Sequence, residues 1–273
     1  VLCWGANNEG QLGNGTGMGS NIPVQVEFEG APLAQVSAID AGLDHTCAIR
    51  GPANGQDVIC WGASDNFRSG PDNNNPGPQE ISFPGVTEFA AVATGNTFSC
   101  VVGTAGNRVF CWGENARGQS GQPSQNDVQN PLVVLTAGGG AVGGANSLDL
   151  GGAHGCVSRD TDVLCWGGNG RGQVGINSMQ DQFAAQPVNV PVDRRSRVVL
   201  GAQHTCIVGG TGEIHCWGLN GMGQSLRVDG GMTLPTPMLA DVGPAIDQGL
   251  WAGFLTTCVA LADGPRCFGQ REL

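Results

Sequence analysis

Val163-Leu164-Cys165-Trp166-Gly167-Gly168-Asn169-Gly170-Arg171-Gly172-Gln173-Val174-Gly175 is the stretch on which the reading of this chain turns. A short apolar run ends in Cys-Trp-Gly, and Asn-x-x-Gly-Gln-x-Gly follows at once, so a strand gives way to a glycine-rich turn. Cys-Trp-Gly recurs at Cys3, Cys60, Cys111, Cys165 and Cys216, with a variant at Cys267-Phe268-Gly269. The intervals are 57, 51, 54, 51 and 51 residues. A repeat of about 50 residues is the size of one four-stranded propeller blade.

Outward from this core, each unit repeats further signals. A Gly stands five residues before a Cys in the pairs Gly42/Cys47, Gly95/Cys100, Gly151/Cys156, Gly201/Cys206 and Gly253/Cys258. A Pro opens a short apolar run at Pro23, Pro131 and Pro187. The turn motif is complete at 7–13, 115–121 and 169–175. It is eroded at 64–70, and at 220–226 its last Gly is Leu226. The turn is expected to differ in both places, because Gly alone enters positive φ without cost. The apolar runs are short and often alternate, and no segment has a capped helical pattern. The expectation is all-β: a β-propeller of four-stranded antiparallel blades with about five blades present. The units run approximately 1–41, 42–94, 95–150, 151–200, 201–252 and 253–273, the first and last incomplete.

The eleven Cys fall into five close pairs and one leftover, Cys3. Turn residues lie between the members of most pairs, so each pair sits in one hairpin, where cross-strand neighbours are ~4.5–5.5 Å apart. The expected bridges are Cys47–Cys60, Cys100–Cys111, Cys156–Cys165, Cys206–Cys216 and Cys258–Cys267, each closing a loop worth roughly 3 kcal/mol in the chain-entropy model. Reduced core cysteines are the competing reading. Zinc is weaker still, because the short spacing of zinc ligands is absent. Cys3 has no upstream partner, and the chain starts in mid-strand and stops where the next turn motif would begin. The expectation is a fragment of a longer repeat protein.

Composition narrows the function. Gly is 47 of 273 residues, charged residues are 13 %, and 12 Arg face 23 Asp and Glu, for a net charge of −11. An acidic chain is repelled by phosphate backbones and anionic membrane surfaces, so nucleic acid and direct membrane insertion are not expected as partners. No apolar run approaches the length of a membrane span.

The turn motif after Cys-Trp-Gly, together with His45-Thr46-Cys47-Ala48-Ile49 and His204-Thr205-Cys206-Ile207-Val208, resembles the repeat of the regulator of chromosome condensation family. The resemblance runs the length of the chain. It implies a propeller, most often a seven-bladed ring, of which this chain would be a part. The paired Cys is similar to exported bacterial members, which implies an extracellular, periplasmic or cell-surface location. The family's founding member is a nucleotide-exchange factor for a small GTPase. Fold likeness does not carry that activity here.

The remaining constellations are read conservatively. His45, His154 and His204 share one repeat position, filled elsewhere by Phe98 and Thr256, and structural hydrogen bonding is expected rather than metal ligation. One Trp per unit reads as packing between blades. Asp65-Asn66 and 72–75 make an oxygen-rich loop without calcium-site spacing. No G-x-S-x-G exists, and bridged cysteines are not nucleophiles. No catalytic, cofactor or metal residue is assigned. Trp251, which is out of register, and the basic cluster Arg194, Arg195 and Arg197 are candidate partner contacts. Loops 16–21, 124–130, 177–186 and 228–234 are the expected contact surface. The expectation is a non-catalytic exported scaffold for a protein or surface glycan. The alternatives are a guanine-nucleotide exchange factor for a small GTPase and a carbohydrate-active propeller enzyme.

Overall fold

The computed structural model describes residues 1–53, 55–72, 74–227 and 231–270. Four sheets of four antiparallel strands follow one another, each strand bonded to the next in sequence. Blade 1 is Val36–Ala41, His45–Arg50, Asp57–Gly62 and Gln79–Ile81. Blade 2 is Phe89–Thr94, Phe98–Gly103, Arg108–Gly113 and Val128–Val133, and blade 3 is Ser147–Leu150, His154–Ser158, Val163–Gly167 and Gln182–Val188. Blade 4 is Arg197–Leu200, His204–Val208, Ile214–Leu219 and Thr233–Leu239. Before them lies a pair, Leu2–Gly5 with Ser20–Gln25. After them comes a three-stranded blade 5, Leu250–Ala252, Thr256–Leu261 and Gly264–Gly269. The first strands touch in order from blade 1 to blade 5. This is a β-propeller architecture laid out as an arc. Among the described residues the first and last sheets share no strand.

The second and third strands are buried on both faces in blades 1 to 4, because each sheet is sandwiched between neighbours. That is why Val58-Ile59-Cys60-Trp61 and Val163-Leu164-Cys165-Trp166 are continuously apolar. The paired Cys oppose each other directly across the second and third strands. Five disulfides join them, with Cα separations of 4.0 to 4.2 Å. Cys3 is the free thiol. Fourth strands lie at the rim and carry Pro131, Pro187 and Pro235, as an edge strand permits.

Two expectations need correction. The stretches 16–21, 124–130, 177–186 and 228–234 are not loops throughout, since Ser20–Gln25, Val128–Val133, Gln182–Val188 and Thr233–Leu239 are strands that take their last residues. Of loop 228–234, residues 228–230 lie outside the described residues, and so does Asn73 in the oxygen-rich loop. The second correction concerns 220–226. The turn is retained, because Leu226 adopts φ 57° where Gly13 and Gly121 have 62° and 65°. Leu226 N–H donates to Gly223 O at 2.9 Å, as Gly121 does to Gly118. A Cβ at Gly13 or Gly175 would strike the next blade's Trp61 or Trp217. Blade 5 has the smaller Phe268 instead, and Leu226 is buried in the core beside it. Burial of the side chain offsets the left-handed strain. At 64–70 the turn does differ, with Asn66 and Phe67 both at positive φ.

Candidate functional site: a funnel at the channel mouth

Each first strand ends at the repeat glycine, and five such ends meet around the channel. Gly42, Gly95, Gly151, Gly201 and Gly253 line a cavity of about 280 Å³ with Thr94, Leu150 and Leu200. Side chains do not fit at Gly42, Gly95, Gly151 or Gly201, whereas the last glycine, Gly253, is open. A Cβ on Gly201 would lie 2.6 Å from Gly253 O, and one on Gly95 would lie 2.8 Å from Gly151 O. One residue later a backbone ladder links the blades. Asn96 N–H donates to Gly152 O at 3.2 Å, Gly152 N–H to Ala202 O at 3.1 Å and Ala202 N–H to Phe254 O at 3.0 Å.

Behind this floor, buried side chains lock neighbouring blades. Trp61, Trp112, Trp166 and Trp217 donate their indole N–H to the backbone carbonyls of Gln11, Arg68, Gln119 and Gln173, at 2.8 to 3.2 Å. Each acceptor stands at the Gln position of the preceding unit's turn. Carbonyls at this turn position also accept a hydroxyl from the residue before the first Cys: Ser99 to Arg68 at 3.0 Å, Thr205 to Gln173 at 2.9 Å and, in blade 5, Thr257 to Gln224 at 2.7 Å. Those hydroxyls meet the histidines of the preceding blade. His45 Nε2 lies 2.8 Å from Ser99 Oγ, His154 Nε2 2.8 Å from Thr205 Oγ1 and His204 Nε2 2.7 Å from Thr257 Oγ1. A hydroxyl whose proton is already given to a carbonyl can only accept, so each His carries its proton on Nε2. Nδ1 is buried without a partner in all three rings. A second proton there would have no acceptor, and burial lowers the pKa to about 3 for His45 and His154 and about 4 for His204. These histidines are structural donors between blades.

The turn motif builds the next layer. Asn115 Oδ1 accepts Ser120 N–H at 2.9 Å, and its amide donates to Ser124 O at 2.5 Å. Asn7, Asn169 and Asn220 repeat the pattern. Gln119 and Gln173 fix the turn from within, accepting Arg117 N–H and Arg171 N–H at 2.8 Å. Asp40 and Asp149 fasten first strands, accepting the N–H of Thr94 at 2.6 Å and of Leu200 at 2.8 Å. Burial chiefly, with Asp40 adding to it, raises the Asp149 carboxyl to about 7.

Above the floor the funnel widens into a second cavity of about 450 Å³, lined among others by Asn96, Thr97, Glu114, Arg117, Gln203, Leu219, Phe254 and Leu255. Asn96, Gly152, Ala202 and Phe254 line both cavities, so the space is continuous. Most rim residues occupy repeat positions that change from unit to unit, although Arg117 is matched by Arg171 in the next unit. The sequence carries that signal directly: the residue after the repeat glycine is Leu43, Asn96, Gly152, Ala202 or Phe254.

The candidate contacts named from the sequence are not brought together. Arg197 is committed to the interior, donating to Gln248 O at 2.7 Å and Leu250 O at 2.8 Å across blades 4 and 5. Arg194 is exposed, 3.5 Å from Asp160, and Arg195 is exposed beside it. Both sit at the opposite end of the first strand from the funnel. Trp251 is 56 % exposed in the first strand of blade 5, opposite Cys258, at the repeat position of Asp40. Asp72 accepts Asn74 N–H at 3.0 Å within its own loop.

Comparison with known proteins bears on the whole arrangement. Two family descriptions, both of the regulator of chromosome condensation (RCC1) repeat, match residues 1–49 and 160–208, and residues 89–119 and 196–224; together they cover just over half the chain. The chain is similar to the ultraviolet-B receptor UVR8 of Arabidopsis thaliana, 27 % identical over 193 residues, covering 69 % of this chain and 42 % of the receptor. It is also similar to the human E3 ubiquitin-protein ligase HERC2, 29 % identical over 157 residues, covering 56 % of this chain and 3 % of the ligase. The chain therefore spans less than half the length of either relative. Among solved structures, yeast RCC1 (Prp20) bound to Kap60 superposes with a TM-score of 0.80 at 18 % identity, covering 98 % of this chain and 65 % of that one. Human WBSCR16 does so with 0.79 at 17 % identity, covering 98 % and 73 %. At these identities the likeness is one of fold.

Proposed function

This chain belongs to the regulator of chromosome condensation (RCC1) repeat family, and on that premise we propose that it is a non-catalytic protein-interaction scaffold that binds through the funnel. One observation carries the reading. The funnel floor is backbone, fixed by interblade hydrogen bonds, whereas its rim holds side chains of differing chemistry, several with no partner among the described residues. A rigid arc of blades that presents variable groups is a binding device. The buried histidines are neutral donors engaged between blades and ten of the eleven cysteines are bridged, so neither these histidines nor the bridged cysteines are available as reacting groups; the free thiol, Cys3, lies at the start of the arc, outside the funnel lining. Five disulfides fit an oxidising compartment, and we place the protein outside the cytosol on that ground. Among the described residues no helix is long and apolar enough to cross a membrane.

A random-peptide display selection on the oxidised chain tests the reading. The expected result is a family of peptides whose binding is lost in Phe254→Ala and Gln203→Ala. Peptides that ignore every rim variant would contradict it. So would nucleotide release from a small GTPase, or glycan hydrolysis, that depends on one carboxylate of this chain; these outcomes belong to the exchange-factor and carbohydrate-active alternatives.

A further inference from the structure

Several arginines are held in ion pairs. Arg68 pairs with Asp65, Arg159 with Asp162, Arg50 with Asp57 and Arg266 with Asp263. Among the described residues Arg108, Arg117, Arg171 and Arg195 make no side-chain hydrogen bond or ion pair, and of these Arg117 lines the 450 Å³ cavity, together with Asn96 and Gln203, whose amides are likewise without a partner among the described residues. The one carboxylate in that lining, Glu114, already accepts the Thr97 hydroxyl at 2.5 Å. Two of the donors are seated over side-chain-free floor. The Arg117 stem runs across Gly168, with its Cδ 3.3 Å from where a Cβ would stand, and the Asn96 amide nitrogen lies 3.3 Å from the equivalent point on Gly152. Gly152 and Gly168 flank Ala153, whose carbonyl accepts Gly168 N–H at 2.7 Å, so both donors border one small patch of backbone. On the far side of the same cavity stand Leu219, Leu255 and Phe254, the last 60 % exposed.

A guanidinium offers donors and no acceptor, and its planar fork matches a carboxylate. The field around it favours this use. Ten of the 23 acidic residues but only two of the 12 arginines fall within residues 1–94, so blades 2 to 4 are the less acidic part of the chain. A net charge of −11 disfavours polyanions, leaving a singly charged acceptor held at short range.

We propose that the funnel binds an acidic peptide segment of a protein partner, with a carboxylate held by Arg117 and Asn96 and an adjoining apolar side chain on Phe254, Leu255 and Leu219. This rests on the funnel being the binding face and adds the chemistry of what it binds.

Fluorescence anisotropy with the oxidised chain and three labelled peptides decides the matter: acetyl-Leu-Asp-Phe-Glu-amide, its amide counterpart Leu-Asn-Phe-Gln and its basic counterpart Leu-Lys-Phe-Lys. The acidic peptide should saturate below about 1 mM and bind roughly tenfold more tightly than either counterpart. Arg117→Ala should remove that preference and Asn96→Ala should weaken binding, while Arg194→Ala, at the opposite face, should leave it unchanged. Arg117 is exposed, so an unaltered thermal melt verifies the variant's fold. Equal binding of the amide peptide, no saturation, or indifference to Arg117→Ala overturns the proposal. A basic peptide that wins and is lost in Phe254→Ala overturns the acidic assignment and leaves the funnel as the binding face. Binding that ignores every rim variant overturns both.

Discussion

The interface between blades 3 and 4 and the one between blades 2 and 3 solve the same packing problem in opposite ways. Between blades 3 and 4, His154 donates to Thr205, Thr205 donates to Gln173 O, and Trp217 donates to the same carbonyl. Between blades 2 and 3, Phe98 replaces the histidine, and Gly155 stands where the hydroxyl residue would be. Phe98 joins Leu150, Val157 and Trp166 in one buried cluster. Only the indole bond to Gln119 O remains, at 2.8 Å. The two residues change together because either alone would fail. A Thr beside Phe98 would lose its donor, and a Cβ on Gly155 would meet Trp166 and Leu150 at 2.7 and 2.8 Å. Polar and apolar fastenings are thus interchangeable only as sets, as expected when buried polar groups must be satisfied.

Acid should separate the two kinds of interface most strongly. A histidine whose folded pKa lies below its unfolded value binds fewer protons folded than unfolded, so protons favour the unfolded chain between those values. For His45, His154 and His204 the window runs from about 6.5 down to about 3 or 4. Stability is full above it and falls by up to ~1.4 kcal/mol per pH unit per histidine within it. Asp149, raised to about 7, works the other way, its contribution falling as pH rises from 3.8 toward 7. Three groups outweigh one, so urea midpoints should drop steeply between pH 6.5 and 4.5. In the variant with all three histidines changed to Phe, that slope should vanish or reverse.

The indole is common to both interfaces and should matter equally in each. Trp166→Ala and Trp217→Ala are each expected to cost about 3–5 kcal/mol in equilibrium unfolding. Trp4 holds the same repeat position at the start of the arc and is 64 % exposed.

Next in size is the exchange of one fastening for the other. His154→Phe should cost about 1–2 kcal/mol, because Thr205 keeps its bond to Gln173 O and loses only its donor. The double variant with Thr205→Gly should recover part of that loss, and the coupling is read from a double-mutant cycle. The smallest effects belong to exposed groups. Trp4→Ala and charge reversal at Arg194 and Arg195 should each stay within about 0.5 kcal/mol, whereas Arg197→Glu should exceed that because its guanidinium joins blades 4 and 5.

The repeat made most of the fold legible. Cys-Trp-Gly at a nearly fixed interval placed the third strands and the paired Cys placed the hairpins, while the glycine before each pair was legible as a repeat signal and not as the lining of the funnel. What was not legible depended on neighbours distant in sequence. Leu226 holds a left-handed turn because Phe268, 42 residues on, leaves room for it. Arg197 reads as part of a solvated basic cluster, yet it reaches carbonyls about one blade away in sequence. The histidine fastening left a signal that only an alignment of the units shows: Ser99, Thr205 and Thr257 follow units with His, and Gly155 follows the unit with Phe98. The funnel rim was the least legible, because residues such as Asn96, Arg117 and Gln203 are ordinary one at a time and gain meaning when blades 2 and 4 bring them to one cavity.

Hydrogen–deuterium exchange of the oxidised chain, alone and with the tightest peptide from the display selection, tests most directly the claim that this is a rigid arc of blades binding at its mouth. Added protection should fall on 96–97, 114–117, 152–153, 202–203 and 254–255, with the disulfide-bonded hairpins already protected in the free chain. Protection on the rim strands or on loop 190–196, with the funnel unchanged, would contradict it.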